Sequence, residues 1–327
     1  MKILVTGGAG FIGSHYVRKL LLTNFGNAIT HLTVIDLLTY AGNLDNLNLV
    51  QNDDRFSFVQ GDINDSLLVS ELLEDADAVV HFAAESHVDR SIKGSSEFIR
   101  TNITGTHVLL EAARLTGLKR FLHVSTDEVY GTIQHGSWSE SSPLLPNSPY
   151  AASKASSDLL VRAYNRTYGL ETITTRCSNN YGQYQFPEKL IPLFVTNLID
   201  GKQVPLYGNG LNIRDWLHVD DHCKGIHLAL MNGKSGEVYN IGGGTELTNI
   251  EMTKNILGAF GANWEESVIN VDDRQGHDLR YSVDCSKARI DLGYEPEIPF
   301  NQGLNDTIEW YRSNESWWRP LKGGQQA

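Results

Sequence analysis

Tyr150 and Lys154 stand four residues apart, so a helix would project a phenol and an ammonium from one face, one turn apart. That pair is a tunable acid and base. Positive charge beside the phenol favours phenolate, so Tyr150 is expected to titrate below its free value and to take a proton from a hydroxyl undergoing oxidation. Pro143, Pro146 and Pro149 suit a loop that opens into such a helix. Asp127 and Glu128 are adjacent carboxylates. In a shared, partly dry site two such acids push their pKa values apart, leaving one neutral as a proton donor and one ionised as a base. The plainer alternatives are a surface Tyr/Lys pair and an Asp-Glu turn or helix cap.

The segment Gly7-Gly8-Ala9-Gly10-Phe11-Ile12-Gly13 supplies a phosphate-binding turn. It follows an apolar run directly and precedes the helical spacing Ile12, Tyr16, Leu20. Gly7, Gly10 and Gly13 permit a tight turn, close approach of backbone to a pyrophosphate, and close packing of the helix whose N-terminus faces that charge. Asp36 ends the next run, where a carboxylate accepts from the adenosine ribose hydroxyls and repels a 2′-phosphate. NAD is therefore expected rather than NADP, and its positive nicotinamide ring is expected to act with Lys154 in favouring the Tyr150 phenolate. Asp62 and Ile63, and then Phe82, Ala83 and Ala84, stand at later run ends along the same cofactor track.

The elements that must position these residues are legible in the hydrophobic pattern. Apolar runs at Ile3–Thr6, Leu32–Asp36, Phe56–Gln60, Ala78–Ala83 and Phe121–Ser125 read as strands buried on both faces. Between them lie stretches of helical spacing, such as Phe98, Ile103, Thr106 and Leu110. The alternation predicts an α/β chain with a doubly wound parallel sheet of Rossmann type. After Cys177 polar loops lengthen, with Gly-Asn-Gly at 208–210 and Gly-Gly-Gly at 242–244. A smaller mixed α/β substrate-binding domain is expected over the carboxyl edge of the sheet. The expected division gives 1–176, with roughly 216–241 returning to it, to the cofactor domain, and 177–215 with 242–320 to the second. Gly323–Ala327 reads as a frayed tail.

Bulk properties narrow the classes. A chain of 327 residues with 41% apolar composition can bury a large core. The three cysteines are widely spaced, which suits a reducing cytoplasm rather than a disulfide framework. The eleven histidines form no metal-ligating pattern, so no metal is expected. Glycines break the apolar N-terminal run, so no secretory leader is expected, and no run approaches the roughly 20 residues of a membrane span. A net charge of −12 without a block of lysine and arginine argues against nucleic acid as a partner.

GGAGFIGS at 7–14, the Tyr150/Lys154 spacing and the strand-end Ser125 resemble the extended short-chain dehydrogenase/reductase family over nearly the whole chain. Within it, longer runs are similar to the dTDP-glucose 4,6-dehydratases: DLLTYAGN at 36–43, HFAAESHVDRSI at 81–92, STDEVYG at 125–131, SPYAASKASSD at 148–158, RCSNNYGQYQFPEKLIP at 176–192 and RDWLHVDDHC at 214–223. Thr126-Asp127-Glu128 is the sharpest of these resemblances, because relatives that only epimerise or oxidise usually carry small or neutral residues there. Gln183 and Gln275 depart from the family, standing where relatives often have proline.

The resemblance implies a reaction and a division of labour. Oxidation of a hexose at C4 acidifies the C5 proton and allows the C6 hydroxyl to leave as water, after which hydride returns to C6 and NAD stays bound. Asp127 is implied as the acid, Glu128 as the base, Tyr150 with Lys154 as the oxidation pair, and Thr126 as a partner of the C4 hydroxyl. Thr39, Ser86, Thr101, Ser125 and Asn180 join the cofactor residues, although Ser125 and Thr126 could equally cap the strand end. Ser86, Asn179, Glu188, Lys189, Leu190, Pro205, Leu206, Tyr207 and Asn249 are implied at the nucleotide-sugar substrate. The two asparagines, 179 and 180, also suit a plain turn. Arg214 and Arg274 offer forks for the pyrophosphate of dTDP-glucose, and His277 and Tyr281 belong to a segment closing over it. A homodimer through a helix bundle containing the Tyr150 helix is implied as well.

Three rival readings remain at this point. A sugar-nucleotide 4-epimerase would have no use for the acid pair. A dehydratase of a GDP- or UDP-sugar would share the chemistry. A non-catalytic NAD-sensing scaffold would have lost a tyrosine, lysine or carboxylate that this chain keeps.

Overall fold

A computed structural model describes residues 1–323. The tail expected at Gly323–Ala327 lies outside the described residues except for Gly323, which ends the helix Glu315–Gly323. Seven strands form a parallel sheet: β1 (Lys2–Thr6), β2 (His31–Asp36), β3 (Phe56–Gln60), β4 (Ala78–His81), β5 (Arg120–Thr126), β6 (Thr172–Cys177) and, entered after three strands of other sheets, β10 (Val238–Ile241). Their spatial order is β3-β2-β1-β4-β5-β6-β10. The chain order reverses between β1 and β4, and open parallel sheets bind ligands at the carboxyl ends beside such a switch point.

The fourth strand is shorter than its apolar run. It stops at His81, and Phe82 and Ala83 belong to the following loop, because Gly7 must approach the backbone of Ala83 there. Alternation divides the sheet's side chains between two cores. Ile3 and Val5 pack with Tyr16, Leu20 and Ile226 on one face, while Leu4 joins Val79, Leu109 and Val161 on the other. The stretch with Phe98, Ile103, Thr106 and Leu110 is helical throughout but contains a π-turn over Ile99–Gly105. π-turns favour functional positions, and this one carries Asn102, whose amide accepts from Glu85 N–H at 2.9 Å and donates to Ser153 Oγ at 2.8 Å.

The remaining strands are β7 (Asn179–Tyr181), β8 (Val204–Tyr207), β9 (Ile213–His218), β11 (Glu246–Thr248) and β12 (Val268–Val271). They make a three-stranded sheet β11-β9-β7 and a parallel pair β12-β8. A third core, with Tyr181, Phe194, Trp216, Met252, Ile308 and Trp318, joins β7 and β9 to the helices of the C-terminal part. The boundary expected at 215/216 falls inside β9. Among the described residues no helix is long and apolar enough to cross a membrane.

Candidate active site

The turn after β1 is built for close approach. Gly7 has φ +67°, and a Cβ there would lie 2.6 Å from Ala83 N; a Cβ on Gly13 would lie 2.3 Å from Gly7 O. Only glycine fits either position. Asp36 is buried and accepts from Ala9 N–H at 2.9 Å and Leu38 N–H at 2.8 Å. It thus ties the glycine turn to the end of β2 while still lining the cleft, with lone pairs left for ribose hydroxyls. Burial raises its pKa against those two backbone bonds.

One cleft runs from this turn along the strand ends. Gly7, Gly10, Phe11, Ile12 and Gly13 form its floor. Asp36, Thr39, Asp62 and Ile63 lie towards one end. Phe82, Ala83, Ala84, Ser86 and Thr101 line it too, as do Ser125, Tyr150, Lys154 and Asn180. The structure therefore brings every residue expected at the cofactor to one continuous surface. The cradle at Gly7 and Gly13, the helix N-terminus behind them and a carboxylate at the end of β2 fit an NAD-type dinucleotide.

Thr126 ends β5, and its hydroxyl accepts from Glu128 N–H at 3.3 Å, capping the 3-10 turn Asp127–Tyr130. The capping role and a role in the site are thus compatible, because the same residue lines the cleft with Asp127 and Glu128. Tyr150 and Lys154 lie on the helix Pro149–Tyr168, whose N-terminus Ser148 caps by accepting from Ala151 N–H at 3.1 Å. Lys154 Nζ donates to Val124 O at 2.8 Å, and burial lowers its pKa to about 8.

The protein's own groups do not by themselves favour the Tyr150 phenolate. The phenol is held well above the ordinary value, first by burial and then by the charge of Glu128, with a hydrogen bond to Thr126 acting in the opposite direction. Lys154 spends its charge against the Val124 carbonyl, so the ammonium alone does not make the phenolate.

The two carboxylates are separated electrostatically. Asp127 is raised well above the carboxylate range by burial, then by Glu128 and Asp215. Glu128 is raised by burial too, but Arg274, Arg214 and Lys189 pull it back towards ionisation. Asp127 Oδ2 and Asn179 Oδ1 are buried with no hydrogen-bond partner among the described residues. Buried polar atoms left without partners mark a place where a ligand completes the pairing.

A second cleft joins the first at Ser86, Glu128, Asn179 and Lys189. Glu188, Leu190, Pro205, Leu206 and Tyr207 line it with Arg214, Asn249, Arg274 and His277. Arg214 is anchored by bonds from its guanidinium to Ile213 O at 2.7 Å and Asp278 O at 2.9 Å. Arg274 Nε is buried without a partner among the described residues, as a donor awaiting an anion would be. His277 bonds Asp273 at 2.6 Å, and burial lowers its pKa to about 4, so it is neutral near pH 7. Tyr281 is the exception among the expected substrate residues. It lines neither cleft; its hydroxyl donates to Asp278 at 2.6 Å, and the Arg214 guanidinium stacks 4.4 Å from its ring centre.

Comparison with known proteins adds an independent finding. The GDP-mannose 4,6 dehydratase family matches residues 4–307. The dTDP-glucose 4,6-dehydratase of Streptomyces antibioticus is 60% identical, over 98% of this chain and 96% of its own. The chain belongs to the dTDP-glucose 4,6-dehydratase family. The structure of a dTDP-glucose 4,6-dehydratase from Streptomyces venezuelae, solved with NAD and dTDP bound, is 60% identical with a TM-score of 0.97, covering 98% of this chain and all of that one. The UDP-glucose 4-epimerase of Thermotoga maritima is more distant at 31% identity and TM-score 0.88, over 96% of this chain and all of that one.

Several cleft residues of this dTDP-glucose 4,6-dehydratase family member escaped sequence reasoning. Glu85, Gln185 and Phe186 line the first cleft, and His87, Asp89 and Arg90 the second. All lie inside the quoted motif runs, but loop residues of these types carry no periodicity that singles them out. His222 is another. It is fully buried and bonds Asn180 Oδ1 through Nδ1 at 2.9 Å, fixing the amide that lines the cofactor cleft.

Proposed function

We propose that this chain is an NAD-dependent hydro-lyase that converts dTDP-glucose to dTDP-4-keto-6-deoxyglucose and water. The observation that carries the reading is the split environment of Asp127 and Glu128 beside Tyr150. Oxidation alone, or epimerisation, needs only the tyrosine and lysine; elimination needs one proton taken from C5 and another given to the C6 hydroxyl. NAD, when bound, supplies the acceptor for the C4 hydride and its donor back to C6.

In this reading Tyr150 takes the C4-hydroxyl proton as a phenolate, which the cationic ring of NAD would favour over the phenol that burial favours, with Thr126 sharing that hydroxyl. Lys154 supplies fixed positive charge from behind the strand end. Glu128 removes the C5 proton, and Asp127, which burial keeps protonated, gives its proton to the departing C6 hydroxyl. Arg214 and Arg274 hold the pyrophosphate; Tyr281 and Asp278 hold Arg214. The cofactor part is assigned to 1–176 with roughly 216–241, which the return of β10 to the main sheet supports although the start of the returning segment falls inside β9. The rest, 177–215 and 242–320, is assigned to the nucleotide sugar.

A homodimer is the proposed assembly. Leu115, Leu159 and Tyr168 are exposed on the adjacent helices Thr106–Thr116 and Pro149–Tyr168, an apolar surface suited to a second copy. Light scattering reads the mass directly. The proposed compartment is the cytoplasm, where Cys177, Cys223 and Cys285, free in the structure, stay reduced.

The deciding experiment incubates the purified protein, without added cofactor, with dTDP-glucose, UDP-glucose and GDP-mannose in turn. Loss of one water from dTDP-glucose alone, read by mass spectrometry, is the expected result. Loss from another nucleotide sugar would reassign the substrate, and an isomer of unchanged mass would replace dehydration by epimerisation.

A further inference from the structure

Residues 184–189 form a strap along the dinucleotide cleft, tied down at both ends. Gln185, Phe186, Glu188 and Lys189 line the cleft. At the far end Tyr40 donates to Glu188 at 2.9 Å, and Lys189 donates to Ser86 O at 3.0 Å. At the near end Tyr184 has φ +67°, a left-handed conformation that a bulky side chain keeps only where its surroundings over-determine it. The surroundings do so here. The Arg18 guanidinium lies 4.1 Å from the Tyr184 ring centre, while Trp310 and Trp317 pack against the ring at 4.5 and 5.5 Å.

The same contacts lead back to the glycine turn. Buried Arg18, on the helix that starts at Phe11, also donates to Asn46 O at 2.6 Å. Trp317, on the C-terminal helix, donates through Nε1 to Asn46 Oδ1 at 2.9 Å. Asn46 in turn donates through Nδ2 to Ala9 O at 2.8 Å, inside the phosphate-binding turn. Strap, C-terminal helix and glycine turn therefore meet on two residues, Arg18 and Asn46.

We infer that Tyr184 and Trp317 are positioning residues of a latch that holds the dinucleotide in its cleft throughout turnover. The inference rests on the proposed reaction, in which the cofactor molecule that accepts hydride from C4 must be the one that returns it to C6. A cofactor lost between those steps would strand an unsaturated keto sugar in the site. Neither Tyr184 nor Trp317 lines the cleft, so both act through the strap and through Ala9. Lifting the strap separates a buried cation from an aromatic face, and loosening the C-terminal helix breaks the indole bond to Asn46. Both changes act on the rate of cofactor departure.

Tyr184→Gly and Trp317→Phe test this. Glycine keeps the left-handed backbone and removes the ring, whereas phenylalanine keeps a ring and removes the indole N–H. The measurements are NAD content of the purified protein, the rate at which bound NAD is displaced by excess etheno-NAD, and dTDP-glucose conversion at saturating NAD. Wild type is expected to purify with NAD. Each variant should release it on the order of ten-fold faster, with conversion at saturating NAD close to wild type. Unchanged release in a folded variant overturns the latch, and so does slower conversion with unchanged release. Trp317→Phe alone carries the test if the glycine variant does not fold. A wild-type protein that binds no NAD would overturn the functional reading together with the latch.

Discussion

Asp127 and Glu128 are consecutive carboxyls, both raised by burial, that differ in the charges around them. On a 3-10 turn successive side chains diverge by about 120°, so the pair capped by Thr126 faces two environments. Asp127 meets burial, Glu128 and Asp215, with Arg214 pulling back; Glu128 meets burial against three cations, Arg274, Arg214 and Lys189. One acid is thereby kept protonated while its neighbour is drawn towards ionisation.

Glu128→Gln should leave C4 oxidation intact and block proton removal at C5. Overall turnover should fall by about 10²–10⁴, and NADH absorbance should rise and persist after substrate is added. Unchanged turnover would remove Glu128 from the mechanism.

Tyr150→Phe should suppress the first step, so turnover falls by about 10²–10⁴ without any NADH signal. Single-turnover absorbance separates this variant from Glu128→Gln. Rapid reduction of bound NAD in the phenylalanine variant would contradict the role given to the phenol.

Lys154 sets an alkaline limit. Its pKa is lowered by burial from 10.5 to about 8, so kcat/KM should decline as pH rises past about 8 and the fixed charge is lost. Stability moves the other way. Between these values the unfolded chain binds more protons than the folded one, so this residue's contribution to stability rises with pH across the window. Melting curves recorded across that range distinguish loss of the charge from unfolding, and Lys154→Met should abolish the alkaline limb.

Arg214→Ala should chiefly weaken nucleotide-sugar binding, raising KM roughly 10- to 100-fold with a smaller effect on kcat. Tyr281→Phe removes only the bond to Asp278 and leaves the ring under Arg214, so its effect should be milder. Titration with dTDP alone reads both. Equal affinity in Arg214→Ala and wild type would exclude the phosphate contact.

Gly13→Ala places a Cβ 2.3 Å from Gly7 O, a backbone atom that cannot swing aside as a side chain could. Overpacking of this kind costs about 1–3 kcal/mol, and here it also deforms the phosphate-binding turn. A lower melting temperature together with loss of copurified NAD is expected; full NAD occupancy would show that the turn relaxes without function depending on its shape.

Much of the fold and site was legible in the residues themselves. The runs at β1, β2, β3 and β5 were visible because strands buried on both faces are nearly continuous in apolar residues. The fourth run overshot by two residues, since Phe82 and Ala83 are as apolar as a strand yet turn away to meet Gly7. The glycine turn, Asp36 and the tyrosine helix were readable from spacing along the chain. The contact of Tyr281 with Arg214 and Asp278 was not legible, because its type suits a ligand contact as well as a support and nothing local says which side of Arg214 it takes.

The sequence by itself determined the parallel sheet, the dinucleotide turn and the residue types available for oxidation and elimination, because helical and strand periods depend on near neighbours. Tertiary structure alone decided the rest. Burial dominates the Tyr150 phenol; Arg274 and Lys189, from distant loops, set Glu128 apart from Asp127; and Trp317 reaches Asn46 across 271 residues of chain. Desolvation and long-range pairing arise only once the fold has chosen which groups lie side by side.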